Sequence, residues 1–168
     1  MPKIIEHIKE HLLAEAAQQL KQGGYSALTI RSIAKGCGVG VGTVYNYFPS
    51  KEALIATYLL QDWNICVNTI AHTAQIATQA QPVLLCIYQQ LVDFASRHQA
   101  IFRDKATTTG FVSSFSQYHS LLRSQLAEPL RKFCSSDFAA QFVAESLLTW
   151  SMAGKSFDDI YEILKKLF

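Results

Sequence analysis

An all-α fold is what this sequence predicts. Apolar residues return at helical spacing along nearly the whole chain, no segment alternates apolar and polar residues as a strand does, and no internal repeat is present. About nine helices are expected, divided between an N-terminal domain over residues 1–50 and a helical C-terminal domain over 51–168.

Ile4, Ile5, Ile8, Leu12, Leu13, Ala16 and Leu20 form one stripe, so residues 3–22 read as an amphipathic helix stopped by Gly23 and Gly24. Thr29 is a natural N-cap, its hydroxyl able to satisfy an orphan amide of the following turn. Ile30, Ile33, Ala34 and Cys37 then give a two-turn helix ending near Gly36 to Gly38. Val39, Val44 and Phe48 supply the inward side of a third short helix, over about residues 40–47, which Pro49 terminates. Ser50 caps a long fourth helix that keeps its period from Lys51 through Leu54, Tyr58, Trp63, Ile70 and Ala74 to about residue 77. Pro82 opens a helix to about Arg97, and residues 100–107 form a short one before a break at Thr107 to Gly110. Residues 114–134 read as helical but kinked or split at Pro129. Asp137 is expected to cap a helix over 138–153, and a final helix carries Phe157, Ile160, Tyr161, Leu164, Leu167 and Phe168 on one stripe.

Composition narrows the function classes. Hydrophobic residues make up 49% and charged residues 17% of 168 positions, rich enough in apolar surface to suggest that another copy covers some of it. The stretch nearest to a spanning segment, Ala53 to Leu60, is about half of what a bilayer crossing needs, and the amphipathic N-terminus lacks a signal peptide's apolar block. A cytoplasmic protein is therefore expected. Cys37, Cys66, Cys86 and Cys134 have no metal-ligand spacing and read as reduced, largely buried thiols. The net charge of +2 is unevenly spread: no acidic residue falls between Glu15 and Glu52, while Lys21, Arg31, Lys35 and Lys51 do. A polyanionic partner at the N-terminal end alone fits that asymmetry.

Glycines at 36, 38, 40 and 42 raise the possibility of a phosphate-cradling loop, but they alternate, no lysine follows Gly42, and a helix precedes them where a nucleotide fold needs a strand. Two short helices about a tight bend at Gly38, packed by Ile33, Ala34, Val39, Val44 and Phe48, instead make a helix-turn-helix, whose second helix enters the major groove. Glycines at 40 and 42 thin the protein where DNA must come near.

The run TIRSIAKGCGVGVGTVYNYFPSKEAL, from Thr29 to Leu54, resembles the DNA-binding signature of TetR-type transcriptional regulators, and the similarity extends over about residues 5–60. It implies an N-terminal three-helix helix-turn-helix domain joined by a long fourth helix to a C-terminal helical ligand-binding and dimerisation domain. It further implies a homodimer on a pseudo-palindromic double-stranded DNA operator, repressing until a small-molecule inducer binds, with no catalytic residues, cofactor or metal. By position, Thr29, Tyr45, Tyr47 and Lys51 would contact phosphates, and Arg31, Val41, Gly42, Thr43 and Asn46 would lie nearest the base edges. Val41 can read only by apolar contact, most simply with a thymine methyl. The family pattern usually has a serine or threonine at position 40 and often a basic residue at 41, where this chain has Gly40 and Val41. The missing charge predicts weaker binding, or help from Lys35 and Lys3.

Two alternatives stand beside this reading. His7, Glu10 and His11 fit H-x-x-E-H, the helical zinc motif of inverted zinc peptidases, although no downstream ligand motif accompanies them. A DNA-binding module without an effector would carry the same N-terminal signature. In the C-terminal half, Phe138, Phe142, Leu147, Phe157, Ile160, Tyr161 and Leu164 are the expected dimer interface, as a helical hairpin pairing with its copy. Trp63, Cys66, Tyr88, Phe111, Phe115, Tyr118 and Trp150 are the candidate lining of an inducer site, whose scarcity of charge favours a largely apolar ligand.

Overall fold

The computed structural model describes residues 7–105 and 119–168, and no strand occurs among them. Helix α1 spans Ile8–Ala27, α2 Ile30–Gly36, α3 Val41–Tyr47, α4 Lys51–Ile76, α5 Ala80–Arg97 and α6 Gln99–Lys105. Residues 119–127 form α7, followed by a 3₁₀ turn at Glu128–Leu130, α8 at Asp137–Met152, α9 at Phe157–Leu164 and a last 3₁₀ turn at Lys165–Leu167. That is nine α-helices among the described residues, as the periodicity predicts. The expected start of α1 at residue 3 and the break at Thr107 to Gly110 lie outside the described residues.

The chain divides into two compact units, one from Met1–Asp62 with Gln99–Thr107, the other from Trp63–His98 with Thr108–Phe168. In the first, Ile8, Leu12, Leu13, Ala16 and Leu20 of α1 pack with Ile30, Ile33 and Ala34 of α2, Val44 of α3, Phe48, and Leu54 and Ile55 of α4. Ile101 of α6 closes this core against α1. Each fully buried aliphatic side chain here is worth about 1.5–3 kcal/mol of transfer free energy. Regular helix in α1 is interrupted at Gly24, with φ 71 and ψ −175, where the glycine pair was expected to end it.

The second unit buries Trp63, Cys66, Ile70 and Ala74 of α4 among Val83, Leu84, Ile87 and Leu91 of α5, with Leu126, Leu130, Val143, Leu147, Ile160 and Leu164 from the later elements. The C-terminal carbonyls of α4 are satisfied from a distance, since the Lys132 ammonium donates to the carbonyls of Ala74 and Ala77. Pro129 lies in the 3₁₀ turn that ends α7, so the split expected there is present.

Two expectations are corrected. Asp137 does not cap α8. Ser136 does, accepting from the Ala139 amide at 3.1 Å, while Asp137 takes the first helical position and favours the positive end of the helix as an acid. Most of the last stripe does not face outward: Ile160 and Leu164 are buried in the unit's own core, Leu147 of α8 is fully buried there, and Phe157 and Tyr161 pack against that core, while Leu167 and Phe168 at its end are exposed. The large apolar residues these helices leave exposed are Phe138, Phe142, Trp150, Met152 and Ile163.

Candidate nucleic-acid interface

The helix-turn-helix begins with a reciprocal cap. The Ser32 amide donates to the Thr29 hydroxyl at 3.0 Å, and the Thr29 amide donates to the Ser32 hydroxyl at 3.0 Å. Thr29 is thus the N-cap the sequence implies. Ser32 also donates to the Gln19 carboxamide oxygen at 2.6 Å, and Gln19 donates to the Glu15 carboxylate at 2.7 Å. This relay sets α2 against α1. Glu15 in turn lies so close to the end of α2 that a Cβ on Gly36 would stand 2.1 Å from its carboxylate oxygen. Burial, and secondarily the Glu15 charge, push the Cys37 thiol above its ordinary range, so it stays protonated at neutral pH.

α2 turns into α3 through Gly38 at φ 65, which a side chain would strain. The amides of Cys37, Gly38 and Val39 donate back to Ile33, Lys35 and Ala34 and lock the bend. α3 is then fixed by one inward residue of its own, Val44, and by Phe48 at its end. At about 100° per residue, the side opposite Val44 carries Gly42 and Asn46, flanked by Val41 and Tyr45 on one edge and Thr43 and Tyr47 on the other. Gly42 and Asn46 are exposed, Thr43 is half-buried, and Val41, Tyr45 and Tyr47 are 36%, 52% and 45% exposed. A Cβ on Gly42 would meet no atom within 4 Å, so internal packing does not require glycine there. Arg31 and Lys35 stand exposed on α2.

Lys51 is placed differently from the others. It is half-buried, donating to the Tyr25 carbonyl at 2.5 Å and lying 3.8 Å from the centre of the Tyr25 ring. The Tyr25 phenol donates to Glu52 at 2.8 Å. Burial first, then that hydrogen bond and the Glu52 charge, push the phenol up to about 12. Sequence reasoning missed Tyr25, for nothing local links residues separated by 26 positions.

The other candidates divide as follows. His7, Glu10 and His11 are exposed on the outside of the N-terminal helix, and among the described residues no three His, Cys, Asp or Glu side chains come together to hold a metal ion. Trp63 and Cys66 are core residues. The Trp63 indole donates to Gln125 at 2.7 Å and meets Phe94 edge-on at 5.4 Å, and Arg97 reaches the Cys66 sulfur at 3.5 Å. Tyr88 packs on Phe157 at 5.6 Å and donates to the Lys155 carbonyl at 3.0 Å. Phe111, Phe115 and Tyr118 lie outside the described residues. Trp150 is not brought to Trp63: it stands half exposed on α8 in an open groove with Phe142, Lys155, Asp159 and Ile163. Among the described residues no helix is long and apolar enough to cross a membrane.

Comparison with known proteins agrees with this geometry. Residues 12–58 match the model of bacterial regulatory proteins, tetR family. An uncharacterized HTH-type transcriptional regulator of Bacillus subtilis (strain 168), YuxN, is 46% identical over 52 residues, 30% of this chain and 18% of that protein. The HTH-type transcriptional repressor KstR of Rhodococcus jostii (strain RHA1) is 34% identical over 55 residues, 33% of this chain and 26% of KstR. The matches thus span well under half of these curated relatives. A transcriptional regulator of Streptomyces coelicolor A3(2) has a similar fold over 95% of this chain and 96% of its own, with a TM-score of 0.72 at 13% identity.

Proposed function

With residues 12–58 matching the tetR family of bacterial regulatory proteins, we propose that this chain is a TetR-type regulator that binds duplex DNA through α2 and α3 as a homodimer and represses transcription until a small, largely apolar inducer releases it. The observation that carries the reading is α3. Its solvent side presents Val41, Gly42, Tyr45, Asn46 and Tyr47 with no acidic residue anywhere from position 16 to 51. Such a surface meets a polyanion without repulsion, and its exposed tyrosines have an apolar body and a hydroxyl suited to sugar and phosphate. Arg31 and Lys35 supply the charge that α3 lacks.

The second copy is supported by the exposed Phe138 and Phe142 of α8, 76% and 51% exposed, and by Trp150 and Ile163, which share a groove with Phe142. Apolar side chains of this size in one region mark an interface more often than free surface. For the inducer, the support is the apolar and aromatic character around Trp63, Cys66 and Tyr88, and a thermal-shift screen that finds only anionic metabolites would remove it.

The deciding experiment is selection of bound duplexes from a random pool, followed by a salt titration of the winner. The expected result is a two-fold symmetric consensus whose affinity falls steeply with salt. Failure to retain any duplex at low ionic strength would refute the reading.

A further inference from the structure

Resting on that reading, we propose that the operator half-site facing α3 is an A·T tract, read by the Asn46 carboxamide on adenine and the Val41 side chain on a thymine methyl. The argument starts from what α3 can offer. Its sequence VGTVYNY contains no lysine, arginine, aspartate or glutamate. The commonest route to guanine is a bidentate arginine or lysine on its O6 and N7, and the route to cytosine is a carboxylate on its N4. α3 has neither. What it has at the centre of its solvent side is Asn46, whose carboxamide matches the acceptor and donor pair of adenine, and on the flank Val41, which matches only a methyl.

Asparagine has a short reach, so the backbone must come close to the base pair. Gly42 lies one turn before Asn46 on the same side of the helix, and the volume its side chain would take is open space. The pair of residues therefore acts together: glycine admits the base edge and asparagine reads it. Thr43 is half-buried, and its hydroxyl can serve any base as donor or acceptor, so it adds no guanine preference. Beside Lys35 on the same helix, Arg31 on the first turn of α2 is the exposed cation whose planar fork suits a guanine. It allows a G·C pair at the border of the tract and not within it.

The test uses the full chain and the duplexes enriched from a random pool. The expected consensus has A·T pairs at successive central positions of each half-site, with any conserved G·C pair at one border. In that duplex, replacing thymine by uracil, which lacks the methyl, is expected to weaken binding about 3- to 5-fold at one position, and Val41→Ala is expected to abolish the difference between thymine and uracil. Asn46→Ala is expected to lose on the order of 5- to 150-fold of the preference for adenine at one position with the melting temperature unchanged, since the residue is exposed. Arg31→Ala is expected to relax the border pair alone. A G·C-rich consensus at the central positions, or undiminished adenine preference in Asn46→Ala, overturns this inference while the regulator reading stands. Absence of any duplex binding overturns both.

Discussion

Replacing Gly42 by alanine tests the interface with a single methyl group. No heavy atom lies within 4 Å of where that methyl would sit, so the folded protein accommodates it without a shift. Alanine is favoured over glycine inside a helix by about 0.5–1 kcal/mol, so the variant should melt no lower than the parent and up to ~2–4 °C higher for a chain of this length. Against DNA the sign reverses. A methyl pressed into a surface already in contact costs about 1–3 kcal/mol, which corresponds to roughly 5- to 150-fold weaker binding. The assay pairs differential scanning calorimetry with fluorescence anisotropy on the selected operator. Equal operator affinity in parent and variant would show that position 42 stays clear of the DNA, and the geometry argued for α3 would fall. A drop in melting temperature would show instead that the space beside Gly42 is filled in solution.

Further outcomes follow from other contacts. Tyr45→Ala should weaken binding to operator and random DNA alike, because the exposed phenol serves the backbone and not the bases, and a change confined to operator would contradict that role. Ser136→Ala removes the α8 cap and should cost about 1 kcal/mol in a urea melt, whereas a loss within error would return the cap to Asp137. Replacing Phe138 and Phe142 by serine should give a monomer in sedimentation at micromolar concentration, and an unchanged dimer would put the interface elsewhere. The Tyr25 phenol, raised from 10.0 to about 12, holds its proton in the folded state where the unfolded chain has lost it. Its contribution to stability is therefore whole below pH 10.0 and declines as pH rises toward about 12. Tyr25→Phe should flatten that part of the pH profile relative to the parent, and parallel profiles would rule the contribution out.

Much of this architecture is legible in the chain because helical periodicity is a local signal. Ile33, Val44 and Phe48 face inward where their spacing puts them, and Thr29 and Ser50 cap the helices they precede. What spacing cannot tell is what covers an apolar stripe. Ile160 and Leu164 look the same in sequence whether they meet a second copy or their own core, and only the packing of α5, α8 and α9 decides for the latter. The Ser136–Asp137 pair offers two good caps one residue apart, which sequence ranks almost equally. In the interface, the exposed set on α3 follows from two buried residues and a period. The contact between Lys51 and Tyr25 could not be foreseen, since it depends on how the chain turns after Gly24. Nor could the empty volume beside Gly42 be read, because a glycine in sequence does not say which neighbours it spares.

In the relay from Glu15 through Gln19 and Ser32 to Thr29 only the Glu15 end is charged, so dissolved ions have little to screen in the rest. α2 is thus held on α1 by bonds largely indifferent to ionic strength, while the protein's grip on a charged duplex is not. Brine should strip the protein from its site and leave the reading surface in its original shape, ready to rebind on dilution.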